Sequence, residues 1–393
     1  MRIGLDGFPL ASPRTGIGHY TFELALALAR LSPADEFELI SPVPFPSSIE
    51  DEIKSAAPAN LRAVHAKASA LLGRRWWAIG LPLYLRRARL DLFHGTNYDV
   101  PLWNRRRTVV TIHDLSILLH PDKHEAHLAR RARRRLPLMA RSSSMIITAT
   151  HSIKREICEH LGVRPETVAV IPDAPRSIFR PLPSARTAEA RRRLGVEDEF
   201  ILTVGTLEPR KNLPALVRAF AEVTRRRAAS RSPQLVIAGR EGWLADELYA
   251  SIKEAGVGER LLLTGYVSDD DLCALYSSCR LCVYPSFYEG FGLPPLEAMA
   301  CGAPVITSNT DAIMETVGDA ARLVSPTDVR QLADAIMELL DDAAERRRLS
   351  NAGLERAAAF SWEESARLTL SVYIEALRRP GPEGPTAYST SVG

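Results

Sequence analysis

Two glutamates flanking a glycine-bearing stretch are the densest concentration of chemistry in the chain: Pro285-Ser286-Phe287-Tyr288-Glu289-Gly290-Phe291-Gly292-Leu293-Pro294-Pro295-Leu296-Glu297. The apolar run Leu281–Tyr284 reads as a strand, and Pro294 and Pro295 suit the first turn of a helix, so the stretch joins a strand end to a helix start. Gly290 and Gly292 let a ligand approach the backbone closely, and the open amides and partial positive charge of a helix start attract phosphate or sugar oxygens. Glu289 is expected in the loop and Glu297 in the helix's first turn, where both carboxylates could project toward one ligand above the sheet's carboxyl edge. Taken alone, Glu297 is equally explained as a first-turn acid satisfying the helix dipole. Glu289, in an aromatic glycine-rich loop, has no such ready explanation.

A second constellation, Gly205-Thr206-Leu207-Glu208-Pro209-Arg210-Lys211-Asn212, sits between the expected strand Phe200–Gly205 and a helix beginning near Leu213. The planar fork of Arg210 can hold two oxygens and Lys211 adds a compact charge, a pairing suited to a diphosphate. An isolated Arg-Lys pair at a helix start is more often a solvated surface pair; a buried strand and a glycine before it tip the reading toward anion binding. His113, in Thr111-Ile112-His113-Asp114-Leu115, closes another apolar strand, where a lone histidine is more often structural. The loop Thr15-Gly16-Ile17-Gly18-His19-Tyr20 has two glycines of a dinucleotide fingerprint, but Thr21 stands in the third place and about ten residues separate it from the strand, which argues against NAD. Cys279 and Cys282 form a Cys-x-x-Cys without a second ligand pair, so they read as core rather than as a metal or redox centre. No Asp-rich metal pattern stands beside the phosphate loop, and no metal is expected.

Elements able to position these groups recur along the 393 residues. In the first half, strands are expected at Arg2–Leu5, Glu38–Ile40, Leu92–His94, Thr108–Ile112, Met145–Thr148 and Val168–Ile171, alternating with helical patterns. The Pro-rich segment 172–183 then breaks the pattern as a linker. A second series has strands Phe200–Gly205, Gln234–Ala238, Leu261–Leu263, Leu281–Tyr284, Pro304–Thr307 and Ala321–Val324, with helices near Leu213, Leu244, Asp269, Pro295 and Asp328. Alternation of this kind gives an α/β fold: doubly wound, mostly parallel sheets in two Rossmann-like domains, 1–180 and 181–361. Ser361-Trp362-Glu363-Glu364 fits a capping box before a helix over 362–379, and the Pro-Gly tail 380–393 reads as disordered.

The Glu289 to Glu297 stretch, with its Gly-Phe-Gly-Leu-Pro interior, resembles the Glu-x7-Glu motif of retaining glycosyltransferase family 4, and the resemblance extends over the chain to about residue 378. It implies the GT-B architecture: two Rossmann-like domains facing a cleft, acceptor on the first and nucleotide sugar on the second, with the C-terminal helix returning to the N-terminal domain. It further implies that Glu289 contacts hydroxyls of the transferred hexose, that the amides of Gly290, Phe291, Gly292 and Leu293 touch sugar and phosphate, and that Glu297 binds the ribose. Arg210 and Lys211 would neutralise the leaving diphosphate. One departure stands out: many relatives carry Arg directly after the strand's glycine, where this chain has Thr206. The resemblance also places His113 against the transferred sugar, with Asp114 steadying it, and Gly16 and Gly18 near the donor phosphates. The loop Gly265-Tyr266-Val267 would help read the base.

Phe93-His94-Gly95-Thr96-Asn97-Tyr98 and Ile112-His113-Asp114-Leu115-Ser116 resemble stretches of bacterial polysaccharide and O-antigen mannosyltransferases. GDP-mannose is therefore the first-choice donor and a saccharide or polyprenyl-diphosphate-linked saccharide the acceptor, with UDP-glucose, UDP-galactose or UDP-N-acetylglucosamine as alternative donors. Readings from other classes are an NAD-dependent oxidoreductase and a non-catalytic sugar-nucleotide-binding protein.

Charge and composition bound the setting. Residues 1–180 hold 26 basic and 17 acidic side chains, and the remainder 24 and 30, so a basic face belongs to the first half. Arg74-Arg75-Trp76-Trp77, Arg86-Arg87-Ala88-Arg89 and Arg130-Arg131-Ala132-Arg133-Arg134-Arg135 could meet anionic lipid, the tryptophans suiting the headgroup zone. Against this, the chain has 44 Arg and only 6 Lys, a compositional bias in which basic runs are commonly solvated. Near-neutral total charge and no accompanying motif argue against nucleic acid. Five cysteines and no membrane-spanning stretch fit a reducing cytoplasm, with peripheral attachment to the inner membrane face, and the N-terminus reads as a strand rather than a leader.

Overall fold

A computed structural model describes residues 1–12, 14, 16–67, 75–101, 107–227 and 232–379. The tail 380–393, Thr15 and Arg74 lie outside the described residues. The chain divides into two compact units: Met1–Leu115, Arg130–Asp173 and the segment from Trp362 onward form the first, and Ser116–Ala129 with Ala174–Ser361 the second. The boundary expected at residue 180 thus falls between Asp173 and Ala174, and a short arm from the first half groups with the second.

The first unit holds a seven-stranded sheet of β1 (Arg2–Asp6), β2 (Glu36–Ser41), β3 (Leu61–His65), β4 (Leu92–Gly95), β5 (Arg107–Thr111), β6 (Met145–Thr148) and β7 (Val168–Val170), in the order β3-β2-β1-β4-β5-β6-β7. The second holds a six-stranded sheet of β8 (Phe200–Val204), β9 (Gln234–Ala238), β10 (Leu261–Gly265), β11 (Leu281–Tyr284), β12 (Val305–Ser308) and β13 (Arg322–Val324), in the order β10-β9-β8-β11-β12-β13. Every pairing within these sheets is parallel. Central strands buried along their length, such as Leu281–Tyr284 and Gln234–Ala238, explain the continuous apolar runs. Strand order reverses at β1/β4 and at β8/β11, and in open α/β sheets ligands bind outside the carboxyl ends at such a point.

The strand β3 and the helices Ser184–Leu194, Asp311–Val317 and Ala343–Ala358 were not anticipated from sequence. The helix Trp362–Arg378 packs Ala366, Val372, Tyr373 and Ala376 into the first unit's core with Ile3, Leu5, Leu28 and Phe37. Its Tyr373 hydroxyl meets His94 Nδ1 at 2.7 Å, while His94 Nε2 meets Thr111 Oγ1 at 2.8 Å. Cys279 and Cys282 are buried, and burial pushes the Cys282 thiol up to about 12, in keeping with core packing.

Trp76 corrects the headgroup reading. It is 6% exposed and packs with Ile40, Leu81, Leu85, Leu90 and Phe93, and Trp77 lies partly buried against the same cluster. The exposed apolar side chains nearby are instead Ile79 and Leu83.

Candidate active site

The loops that leave β8 and β11 bring four charged side chains together at the switch point of the second sheet. After β8, Gly205 leads through Leu207 into a single tight turn, Pro209–Lys211, and then the helix Leu213–Arg226. Asn212 between them adopts a left-handed backbone (φ 56). Its amide donates to the carbonyls of Pro285 (3.0 Å) and Pro326 (2.7 Å), and the Phe287 amide donates to the Arg210 carbonyl at 2.9 Å. The two loops are therefore stitched through their backbones, which fixes where their side chains emerge.

Glu289, 8% exposed, divides its carboxylate between the two cations: Arg210 Nη1 donates to Oε2 at 2.7 Å and Lys211 Nζ to Oε1 at 2.8 Å. Arg210 also donates to Glu208 Oε1 (2.6 Å) and to the Tyr288 carbonyl (3.0 Å), and Lys211 donates to the Tyr284 hydroxyl. Burial alone would raise the Glu289 carboxyl, but Arg210 and Lys211 outweigh it and hold its pKa at about 2. Burial, with Arg210 alongside, pulls the Lys211 ammonium below its ordinary range. Two cations and two carboxylates, nearly dry, make a preorganised electrostatic cluster whose charges are already desolvated and oriented. Arg210, Lys211 and Glu289 were each marked in the sequence. Glu208 was not, although two buried cations called for a second counter-charge beside them.

Glu297 belongs to an adjoining group. The helix Leu293–Ala300 begins behind a left-handed Gly292 (φ 105), two residues before the Pro295 start expected from sequence. Glu297 is therefore past the first turn, which corrects the first-turn expectation. Its carboxylate faces Arg176 Nε at 3.4 Å, while Arg176 Nη1 donates to Asp269 Oδ2 at 2.5 Å. Neither Arg176 nor Asp269 was singled out from sequence. Of the remaining donor candidates, Gly290 and Phe291 are buried in the same loop, Phe291 edge-on to Phe360. The Thr206 methyl lies against the loop at Gly242, so this position supplies packing instead of a cation. Tyr266, 65% exposed, and Val267 follow β10, and the Arg240 guanidinium lies 5.6 Å over the Tyr266 ring.

In the first unit, the helix Gly16–Leu31 starts at Gly16, so both glycines lie in its first turn rather than in the preceding loop. A Cβ on Gly18 would come within 3.0 Å of the Pro9 carbonyl oxygen, whereas Gly16 faces open space. His113 Nε2 donates to the Thr96 carbonyl at 2.9 Å, with Tyr20 and Tyr98 edge-on to its ring. Burial lowers its pKa against the opposing pull of that hydrogen bond and of Asp114, so the ring is neutral near pH 7, protonated on Nε2 with Nδ1 the acceptor nitrogen.

Residues 186–356 match the family model "Glycosyl transferases group 1", and residues 14–174 match "Glycosyltransferase Family 4". The chain is 32% identical over 390 residues to an O-antigen chain mannosyltransferase B of Escherichia coli, covering 95% of this chain and 99% of that one. This protein belongs to glycosyltransferase family 4. Its reaction is hexosyl transfer. Solved glycosyltransferases share the GT-B fold. Sucrose-phosphate synthase from Thermosynechococcus elongatus aligns with a TM-score of 0.77 at 22% identity, covering 95% of this chain and 98% of that chain. Anabaena HepE in complex with UDP-glucose aligns at 0.73 with 19% identity, covering 95% and 99%. Among the described residues, no helix of this glycosyltransferase is long and apolar enough to cross a membrane.

Proposed function

We propose that this family 4 glycosyltransferase moves mannose from GDP-mannose, with retention, to a saccharide carried on polyprenyl diphosphate in cell-surface polysaccharide synthesis. The observation that carries the reading is the Glu208–Arg210–Glu289–Lys211 cluster at the switch point of the second sheet. Likeness to an O-antigen mannosyltransferase over nearly the full length of both chains supports the sugar and acceptor class. In the step proposed, the bond from the anomeric carbon to the donor's β-phosphate oxygen breaks and a bond to the acceptor oxygen forms on the same face. The acceptor's proton passes to the departing phosphate oxygen. Arg210 and Lys211 stabilise the charge that grows on the diphosphate, with no metal ion required, while Glu289 hydrogen-bonds the sugar and Glu297 the ribose. The amides of Gly290 to Leu293 border the phosphates.

Thermal shift with GDP, UDP, ADP and NAD, followed by transfer assays with the matching sugar nucleotide, tests the assignment. Stabilisation by GDP alone, lost in Arg210→Ala and Lys211→Ala, and an α-linked mannose product are expected. Stabilisation by UDP alone would replace the donor with a UDP-sugar, and a trapped glycosyl-Glu289 adduct would replace front-face transfer by double displacement.

The same reading places the enzyme on the cytoplasmic face of an anionic membrane. Exposed Arg130, Arg131, Arg133 and Arg134, and the exposed Ile79 and Leu83 near Arg86 and Arg87, support it. Co-sedimentation with phosphatidylglycerol vesicles at low salt should occur and should fall in Arg86→Glu/Arg87→Glu; no binding removes the proposal.

A further inference from the structure

Glu297 needs a counter-charge that its own helix does not supply. It is the fifth residue of the helix Leu293–Ala300, beyond the turn in which the dipole acts, and it is 8% exposed. An ionised carboxylate so buried is costly unless paired. The pairing comes from 121 residues earlier in the chain, where Arg176 rises from the Pro-rich linker. Arg176 is itself 8% exposed and is gripped on several sides. Asp269, the first residue of the helix Asp269–Ser278, takes Nη1 at 2.5 Å; the Phe179 ring lies 4.6 Å beneath the guanidinium; Glu297 Oε1 lies 3.4 Å from Nε. Phe179 in turn packs edge-on, 5.7 Å away, against Tyr276, whose buried hydroxyl has no hydrogen-bond partner among the described residues and whose ionisation is opposed by burial first and then by Glu297.

The contact lengths separate two jobs. The short bond to Asp269 and the ring beneath fix the guanidinium, and the longer contact then presents a fixed positive charge to Glu297. Because Arg is planar and donates in a rigid fork, an arginine anchored this way sets direction as well as charge. The reach of the linker matters too: Arg176 joins the helix carrying Asp269 to the helix carrying Glu297.

We propose that Arg176 is a positioning residue for nucleotide recognition, holding Glu297 aimed at the two ribose hydroxyls of the donor, with Asp269 as its anchor. This rests on the reading that Glu297 binds the ribose, and it adds a residue that the Glu-x7-Glu motif does not contain.

Calorimetric titration with GDP and, separately, with inorganic pyrophosphate distinguishes positioning from general structural support. Arg176→Ala should weaken GDP about tenfold while leaving pyrophosphate within about twofold, because only the ribose contact is disturbed. Donor KM should rise with kcat nearly unchanged. Arg176→Lys should fall between, since one ammonium cannot serve Asp269 and Glu297 with the same fork. In the double variant Arg176→Ala/Glu297→Gln, GDP binding should be no weaker than in Glu297→Gln alone. Full additivity of the two losses, or equal weakening of GDP and pyrophosphate, overturns the proposal while leaving the ribose reading intact. Unaltered GDP binding in Glu297→Gln overturns the ribose reading itself. If Arg176→Ala does not fold, the same cycle with Arg176→Gln and with Asp269→Asn decides it, the latter expected to reproduce part of the Arg176 effect.

Discussion

Glu208, Arg210, Lys211 and Glu289 hold one another's charge. Glu289 serves both cations at once, so replacing it leaves two buried positive groups short of a partner. Glu289→Gln should lose about 3 kcal/mol of stability at pH 7, read by urea denaturation, together with at least about a hundredfold in kcat/KM. The sign of the pH effect follows from its depressed pKa. With about 2 in the folded state against 4.5 ordinarily, its contribution is complete above pH 4.5 and disappears as pH falls toward 2. The parent's unfolding midpoint should therefore drop more steeply than the variant's across that window. Asp6 behaves oppositely. Burial lifts its carboxyl to about 8 from 3.8, and its Oδ2 has no hydrogen-bond partner among the described residues while Oδ1 accepts from the Phe8 amide at 3.0 Å. The protonated form suits the fold, so stability is lost as pH rises from about 4 through about 8. Asp6→Asn should match the parent at pH 4 and melt at a higher temperature at pH 8; equal melting at pH 8 would refute the assignment. Glu289, Arg210 and Lys211 were legible in the sequence because strand, glycine and charge adjoin one another there. Arg176 and Asp269 were not, because each matters only through a partner that folding brings from another segment; Glu208, two residues from Arg210, was not because a solvated acid has the same one-letter appearance as a buried one.

Among the elements, the loops owe their shape to a few backbone positions. A Cβ on Gly239, at the end of β9, would sit 1.8 Å from the Gly205 carbonyl oxygen, so the strands that frame the site can approach only because this residue has no side chain. Gly239→Ala should destabilise the second unit by about 3 kcal/mol or more, seen as a lowered denaturation midpoint, since backbone cannot give way cheaply. Asn212→Ala removes the amide that ties the two loops and leaves a non-glycine residue at φ 56. About 2 kcal/mol of stability should go with it, and donor KM should rise more than the stability loss predicts, as the Arg210 and Glu289 loops lose register. Most strands were read to within a residue because buried parallel strands are continuous apolar runs. The strand β3, Leu-Arg-Ala-Val-His, lies at the sheet's edge with only Leu61 fully buried, and its pattern is too weak to separate from a loop. The helix Ala343–Ala358 escaped for a related reason: its buried positions Arg346, Leu349, Gly353 and Ala357 include one large apolar residue, so no hydrophobic stripe advertises it.

At the scale of the molecule, each sheet repeats the same winding, and the two halves were legible because strand and helix patterns restart after the Pro-rich segment. Where chain segments would group was less visible, since the alternation of apolar and polar residues says which faces are buried but not against which partner. The arm Ser116–Ala129 shows this: His124 stacks on Trp243, whose indole N–H donates to the Lys123 carbonyl at 2.8 Å, and the His120 ring tilts against Tyr288. The closing helix Trp362–Arg378 makes the point again from the other end. Its Val372 and Tyr373 join the core beneath strands that leave the ribosome long before it, the Tyr373 hydroxyl meeting His94 across 279 positions of sequence. Throughout synthesis, then, the first unit to emerge must wait with an uncovered apolar flank while the second is translated and folds. Its maturation is timed by the arrival of a single late helix.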